Sequence, residues 1–471
     1  MPSVLARVLY GVGEIPITVA MTTFGLFVLF FYASVLQLPP VLAGAGAAVG
    51  LVWDAIIDPY IGYRSDRSRH WFGRRHVFML AGALTSGICF WMLLAPPAGL
   101  STAALFAWLV GTTLLFRTTT AIYRVPYLSL GAEMCHEAHG RTVIAAYRSV
   151  FGLVGTLSAA TLSFLLFFPT TGAGDPKLRV EGYGPLAATW GAVMTLCGIV
   201  AIVGTWRYRA GGDDGPAAMA TRTRYKQSFF DALSNGPFRR IFLALVFFFA
   251  GVVINAAVGL HFYTWYVGVS DSAALSRIQL CFYTGALVGV PVWTRLARRY
   301  ERHTLMSAGL VIMAALLSAA PIVFGAGRLY GAESLWALYA THALTGAFAA
   351  VAWVMPGAML AECADAEAMA SGQRKEGIFF GLLNLGEKIA AGVAILITGA
   401  ALQLYAGLAS GAAQTPETIE RIGAIFAWLP AVFLTMSAIA IYGYRLSHSA
   451  PATVQARPAA ETPITSAGGV P

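Results

Sequence analysis

Residues 75–82 read RHVFMLAG, and residues 302–309 read RHTLMSAG. Each copy opens the third long apolar segment of one half of the chain. Repeats that run in the same direction along the chain are how one large class of transporters builds two six-helix bundles around a site at the middle of the membrane. The two stretches therefore predict two related halves.

The composition around these stretches indicates a membrane protein. Of the 471 residues, 58% are hydrophobic and 11% are charged, whereas soluble domains carry about 25% charged residues. Several apolar runs reach the roughly 20 residues that cross a bilayer as a helix. We predict an all-α membrane protein with twelve transmembrane helices, at 15–36, 41–62, 77–97, 101–133, 143–168, 184–207, 239–267, 272–295, 303–326, 334–362, 376–405 and 420–444.

The placement of positive charge predicts the orientation of these helices. A net charge of +9 would favour nucleic acid as the partner of a soluble protein, but here the charge is concentrated in alternate loops and we expect no nucleic acid. Arginine and lysine follow the second and eighth spans and surround the connection from the sixth to the seventh, whereas loops 37–40 and 96–101 have none. The positive-inside rule then puts both termini in the cytoplasm of a bacterium, with the chain in the inner membrane.

The chain divides at its longest polar stretch, near the middle. Residues 211–216 read GGDDGP, a composition typical of a linker. We predict an N-terminal six-helix bundle over 1–208, a cytoplasmic linker over 209–238 and a C-terminal six-helix bundle over 239–445. The remaining residues, 446–471, are rich in Pro, Ala and Thr and are expected to be a disordered cytoplasmic tail.

Sequence motifs of enzymes are missing. The chain contains no GxxxxGK[ST], HExxH or GxSxG pattern. Its five cysteines do not have the spacing of a metal site. We therefore expect neither an enzyme nor a cofactor, and no metal beyond a coupling ion.

Residues 53–59 read WDAIIDP and carry two acids in the second span. Asp54 and Asp58 stand four apart and so share one helix face, near enough to hold a cation between them. Pro59 cannot donate a hydrogen bond to the carbonyl of Ala55, which leaves that oxygen free as another ligand. This set suits Na⁺ or H⁺; alternatively, the acids only neutralise nearby arginines.

The fourth span supplies such arginines. Arg117 and Arg124 are seven residues apart, on one face with Thr120 between them, and we assign Thr120 to the cation site. A guanidinium is well suited to bind an anionic group of a substrate. Either arginine could instead be a permanent partner of Asp54 or Asp58, and the residues alone leave both interpretations open.

Charges from both halves are expected to converge on a central cavity. Lys388 and Glu387 lie near the middle of the eleventh span, and Arg148 lies near the start of the fifth. Escape of Lys388 to the interface is difficult from there, which favours a functional role. We predict Arg124, Arg148 and Lys388 as substrate ligands. Trp353 could stack on a sugar ring or, alternatively, belong to an interfacial belt of aromatic residues.

The charged loops on the termini side are candidates for a gate. Alternating access needs locks that can be broken, although exposed pairs are individually weak and the same residues could be solvated anchors. The candidate gate residues are Asp66, Arg67, Glu133, Arg141, Glu362, Asp365 and Arg374.

At these motifs the chain resembles the glycoside-pentoside-hexuronide:cation symporters of the major facilitator superfamily, the group that includes melibiose permease. The likeness rests on WDAIIDP at 53–59, on VPYLSLGAE at 125–133, and on MLAE at 359–362 running to GQRKEG at 372–377. It touches both halves, and the general pattern covers 1–445.

The resemblance implies a monomeric, sodium- or proton-coupled symporter for a small-molecule substrate, surrounded by membrane lipid. Asp54 and Asp58 would hold the coupling ion, and Lys388 would lie near the site. Melibiose permease has an Asn before the second acid, where this chain has Ile57, which makes sodium coupling less secure.

Two further departures concern the substrate. A sugar-binding Asp in the fourth helix is replaced by Arg124, and the sugar-binding Asp of the first helix aligns with Thr18. An arginine there favours an anionic solute, such as a hexuronate or a sulfonated sugar, over a neutral galactoside. Vertebrate lysophospholipid symporters look similar in this region, so a phosphate-bearing lipid is the alternative substrate. A membrane sensor that does not transport is a third hypothesis, disfavoured because a scaffold has no need of buried charges.

Overall fold

The computed structural model describes residues 2–135, 137–169, 174–209, 232–331, 334–371, 376–408 and 414–444. Within these ranges the protein is helical, and its extended pairing is limited to one isolated bridge. Twelve segments are long and apolar enough to cross a membrane, which confirms the predicted fold class. The helices are α1 (Val4–Val12), α2 (Ile15–Phe30), α3 (Pro40–Asp66), α4 (His76–Leu94), α5 (Thr102–Glu133), α6 (Ala138–Phe167), α7 (Tyr183–Gly204), α8 (Gly236–His261), α9 (Ser272–Leu296), α10 (Arg302–Val323), α11 (Leu335–Ser371), α12 (Glu376–Ala400) and α13 (Pro416–Tyr442).

The first span differs most from its predicted bounds. It begins with α1 at Val4 rather than at 15, and it breaks at Gly13 before α2 continues. A Cβ on Gly13 would lie 2.5 Å from the ring of Tyr127, and the Tyr123 hydroxyl donates to the Gly13 carbonyl over 2.9 Å. The glycine therefore lets the break pack directly on α5.

The two stretches that suggested a repeat make equivalent contacts. Arg75 precedes α4 and binds Glu133 at the end of α5, with 2.6 Å between Nη2 and Oε1. Arg302 opens α10 and binds Glu362 of α11. Each arginine thus ties the third membrane span of its half to a glutamate on the fourth.

The two halves of the molecule touch on the side of the membrane away from the chain termini. We call α1–α7 the N-half, α8–α13 the C-half, and this contact the distal seam. The Val41 amide of α3 donates to Gln403 Oε1, just beyond α12, over 3.0 Å, and the Phe30 ring lies edge-on to His261, with 5.0 Å between centroids. A Cβ on Gly399 of α12 would be 2.4 Å from the Pro40 carbonyl oxygen of α3, so the seam depends on close helix approach.

The predicted linker and tail lie largely outside the described residues. Residues 210–231 of the linker and all of the tail at 446–471 are outside them. α8 begins at Gly236, inside the predicted linker, and the Asn235 side chain caps it by accepting from the Phe238 amide. The division of the chain at these boundaries therefore stays a prediction.

Candidate functional site

A cluster of five charged side chains lies at the middle of the membrane spans, and we call it the central cluster. Asp54 and Asp58 come from α3, Arg117 and Arg124 from α5, and Lys388 from α12. The four-residue and seven-residue spacings turn each pair toward the neighbouring helix, as the sequence predicted. α12 adds a cation from the other half.

Asp58 is shared between two cations. Its Oδ2 accepts from Arg124 Nη2 over 2.5 Å and also from Lys388 Nζ. All three side chains are at least four-fifths buried. Its other oxygen, Oδ1, is buried and has no hydrogen-bond partner among the described residues. Because Asp58 belongs to the N-half and Lys388 to the C-half, this contact joins the two halves in the interior.

Asp54 has a separate partner. Arg117 Nη1 lies 3.3 Å from Asp54 Oδ2, and both side chains are more than nine-tenths buried. The guanidinium also stacks over the Phe24 ring, 4.3 Å from its centroid. The sequence left open whether an arginine is a partner of the aspartates, and in this conformation both arginines are.

The space beside Asp54 is small. It has a volume of about 10 Å³, close to the minimum for one water molecule, and Thr120, Arg117 and Arg124 line it. Thr120 Oγ1 and Arg117 Nε are buried there without a hydrogen-bond partner among the described residues. With two arginines in its wall and both aspartates engaged by cations, the predicted cation site of Asp54, Asp58 and Thr120 is not preformed in this conformation.

Two of the predicted substrate ligands lie at the break in the first span. Thr18 Oγ1 is 3.3 Å from both the Glu14 and Ile15 carbonyl oxygens, so its hydroxyl is engaged by its own helix. Arg148 of α6 pairs with Glu14, at 3.4 Å between Nε and Oε2. Neither side chain has a described contact with the central cluster.

Trp353 lies in the wall of an open cavity in the C-half. The cavity measures about 240 Å³ and lies between α8, α11 and α12 on the termini side. Its walls are mainly apolar, with Asn384 and Glu387 as polar members. Glu387 is adjacent in sequence to Lys388 of the central cluster. Trp353 is 46% exposed, as a residue facing an open cavity should be.

The predicted gate residues pair within their own halves. Asp66 accepts from Arg75 over 2.7 Å, and Glu133 binds both Arg74 and Arg75. Glu362 binds Arg302 in the C-half. These contacts tie neighbouring helix ends together and do not join the N-half to the C-half.

The other gate candidates have different surroundings. Arg67 stacks on the ring of Tyr63, 4.0 Å from the centroid, and Arg141 Nε donates to the Cys135 carbonyl over 3.0 Å. Asp365 is exposed. Arg374 lies outside the described residues. A lock between the halves on this side therefore stays a prediction for another conformation.

Sequence reasoning missed the pairing of Glu14. The available signal was that an acid inside an apolar span needs a partner. The break at Gly13 turns Glu14 toward α6, where Arg148 meets it.

Known proteins resemble this chain over nearly its whole length. A family model described as MFS/sugar transport protein matches residues 9–448. The inner membrane symporter YicJ of Escherichia coli is 24% identical over 93% of this chain and 90% of its own length. The sodium-dependent lysophosphatidylcholine symporter 1-A of Danio rerio is 21% identical over 89% of this chain and 81% of its own.

Solved structures show the same fold. A bacterial homologue of the human lysosomal transporter Spinster, in an inward-facing and unoccupied conformation, matches with a TM-score of 0.66 at 15% identity. The match covers 95% of this chain and 100% of that one. The chain is an integral membrane transporter rather than an enzyme, and it belongs to the MFS/sugar transport protein family.

Proposed function

We propose that this protein couples the movement of a cation, Na⁺ or H⁺, to symport of a small anionic, sugar-like solute such as a hexuronide. The observation that carries the proposal is the contact of Arg124 and Lys388 with one carboxylate, Asp58. Asp58 is one acid in direct contact with two cations, so an anionic solute has two cationic groups to bind, with Glu387 as another acid close to both. Buried charge of this kind is costly in a membrane and is usually functional.

The same contact supplies a coupling mechanism. A solute carboxylate or sulfonate competes with Asp58 for Arg124 and Lys388, since a guanidinium fork binds such groups through two hydrogen bonds. The released Asp58 carboxylate then needs a cation of its own. Solute and cation thus promote the binding of each other, and by linkage the effect is equal in both directions.

Alternating access follows from the arrangement of the halves. The distal seam is closed, whereas the ion pairs described on the termini side stay within each half. By the positive-inside rule we assign that side to the cytoplasm, and we propose that the conformation is inward-facing in a bacterial inner membrane. Because Asp58 and Lys388 join the halves at their centre, solute binding there changes the contact about which the halves rock.

A sugar-like solute is supported by the family description and by the resemblance to melibiose permease-like symporters. The cavity is also small: its 240 Å³ falls below the roughly 300 Å³ at which small-molecule sites usually begin. The second candidate is a lysophospholipid, favoured by the apolar lining around Trp353 and by the name of the zebrafish relative.

Thermal unfolding in lipid nanodiscs tests these candidates. The protein is heated with a hexuronate, a sulfonated sugar, a neutral glycoside or a lysophospholipid, each in sodium or choline chloride. A ligand at 100 times its dissociation constant adds about 2.7 kcal/mol to the stability of the folded state. We expect the acidic sugars to raise the unfolding temperature. The increase should be larger in sodium chloride if Na⁺ is the coupled cation, and larger at lower pH if H⁺ is. A shift with lysophospholipid alone would contradict the proposal and establish the second candidate.

A further inference from the structure

A buried lysine lies in the loop between α6 and α7, on the distal side of the molecule. Lys177 is 1% exposed, although it lies outside the membrane spans. Its Nζ lies 2.7 Å from Asp175 Oδ2 and donates to the Val269 carbonyl over 2.9 Å. Lysine is almost never fully buried unless it is paired, so the closed distal seam must supply acceptors that compensate its charge.

The two acceptors of Lys177 come from different halves. Asp175 is part of the same loop, and it accepts a second hydrogen bond from the Lys177 amide over 3.0 Å. Val269 belongs to the connection between α8 and α9 in the C-half. Its carbonyl is held in place because its amide donates to the Tyr263 carbonyl over 2.8 Å, just after Gly268 turns the chain with φ of 78°. Lys177 therefore makes a charge-assisted hydrogen bond across the distal seam.

We propose that Lys177 is a positioning residue for transport that latches the distal seam through the Val269 carbonyl. The Asp175 pair is local and accompanies Lys177 in either conformation. The Val269 bond exists only while the seam is closed, and water replaces it when the seam opens. A contact that differs between two conformations is what sets their relative populations.

The electrostatics of the loop support this role. Burial lowers the pKa of the Lys177 ammonium, while the Asp175 and Asp271 carboxylates act in the opposite direction. Asp271 caps α9, so one acid from each half faces the lysine. The Tyr183 hydroxyl donates to the Lys177 carbonyl over 2.8 Å and fixes the loop backbone. The ammonium is thus compensated when the seam is closed and hydrated when it is open.

Spin-label distances across the distal side test the latch without any solute. Nitroxides are attached at Ala98 and Leu404, exposed distal positions of the N-half and the C-half, after the five native cysteines are replaced. The test variants are Lys177→Met and Lys177→Gln, each combined with Asp175→Asn so that no acid is left buried without its partner. Glutamine keeps a neutral donor, and methionine keeps none.

We expect the population with long distances to rise about tenfold in the methionine variant, since a charged hydrogen bond contributes at least one factor of ten to an equilibrium. In the glutamine variant this population should rise less. Glu420→Gln is the matched control, because Glu420 pairs with Arg328 on the same side but within the C-half and in an exposed position. Its distance distribution should equal that of the parent protein.

An unchanged distance distribution in a folded methionine variant would overturn the latch and leave Lys177 as a local ion pair. The inference rests on alternating access and not on the proposed solute. If distances shift as expected while no acidic sugar binds, the solute assignment fails and the latch stands. If acidic sugars bind and the distances do not shift, the latch fails and the solute assignment stands.

Discussion

The two halves of this transporter share a scaffold and differ in their chemistry. In both, an arginine at the start of the third span binds a glutamate on the fourth, through Arg75 and Glu133 in one and Arg302 and Glu362 in the other. The intramembrane charges are not shared in this way. The N-half carries six of those described above, and the C-half carries two. They are Glu14, Asp54, Asp58, Arg117, Arg124 and Arg148 in the N-half and Glu387 and Lys388 in the C-half.

This difference teaches that the repeat preserves helix packing and not the site. The N-half supplies the acids and the guanidinium groups, whereas the C-half supplies Lys388 and the apolar walls around Trp353. Among the described residues, Asp58 is the acid whose carboxylate contacts cations of both halves. Substitution of the two N-half aspartates should therefore disturb coupling, whereas substitution of Lys388 or Trp353 in the C-half should disturb solute affinity.

Asp58→Asn should have the largest effect. It removes the carboxylate that Arg124 and Lys388 both contact and leaves these two largely buried cations without a direct partner in the cluster. Removing one partner of a buried ion pair costs about 3 kcal/mol. We expect accumulation of solute in membrane vesicles to be lost and the free energy of unfolding in nanodiscs to fall by about that amount. Glu420→Gln, at an exposed ion pair away from the central cluster, is the control. Full accumulation by Asp58→Asn would refute the coupling mechanism.

Asp54→Asn should come next, with accumulation lost and a smaller change in stability, about 2 kcal/mol. The loss of stability arises because Arg117 is left buried without its carboxylate. Adding Arg117→Met should restore stability, since an apolar pair can replace a buried ion pair at little cost. If Asp54 binds the coupling ion, the double variant stays inactive. Recovery of uptake together with stability would show that Asp54 only neutralises Arg117.

Lys388→Met tests the contribution of the C-half. It removes one of two cations from Asp58 and leaves Arg124 in place. We expect the KM for an acidic sugar to rise about tenfold, as for the loss of one charge-assisted hydrogen bond, with cation dependence retained. Arg421→Met is the control, because Arg421 pairs with Glu417 on the exposed distal surface. Equal effects of both variants would remove Lys388 from the site.

Much of the fold could be predicted from the sequence, because apolar length alone decides which segments cross a membrane. Twelve spans were predicted, and the described part of the chain contains twelve, with the largest error where Gly13 breaks the first. The period of the helix also showed that Asp54 and Asp58 share a face, as do Arg117 and Arg124. Both inferences need only contacts within one helix.

Contacts between helices could not be predicted in the same way. Which arginine binds which aspartate depends on the relative height of α3 and α5, which the sequence of neither helix contains. Lys177 gave no signal, since its loop is polar and its burial arises only when the two halves close the distal seam. The roles of Thr18 and Arg148 as solute ligands stay predictions, because which side chains contact the solute depends on its size and charge.

Trp353→Ala should have the smallest effect and the best power to separate the two candidate solutes. Trp353 is half-exposed in the cavity wall and makes an edge-on contact with Phe282, so its loss should cost little stability. For a sugar-like solute, the KM should rise about threefold, since one stacking contact contributes on the order of 0.5–1.5 kcal/mol. For a lysophospholipid, the loss should grow with acyl chain length, because the buried apolar area grows with each methylene. Trp336→Ala, at the distal start of the same helix and 65% exposed, controls for the general loss of a tryptophan. If the loss of affinity in Trp353→Ala grows with acyl chain length and that in Trp336→Ala does not, the solute is a lipid rather than a sugar. The difference in charge between the two halves would stand in either case.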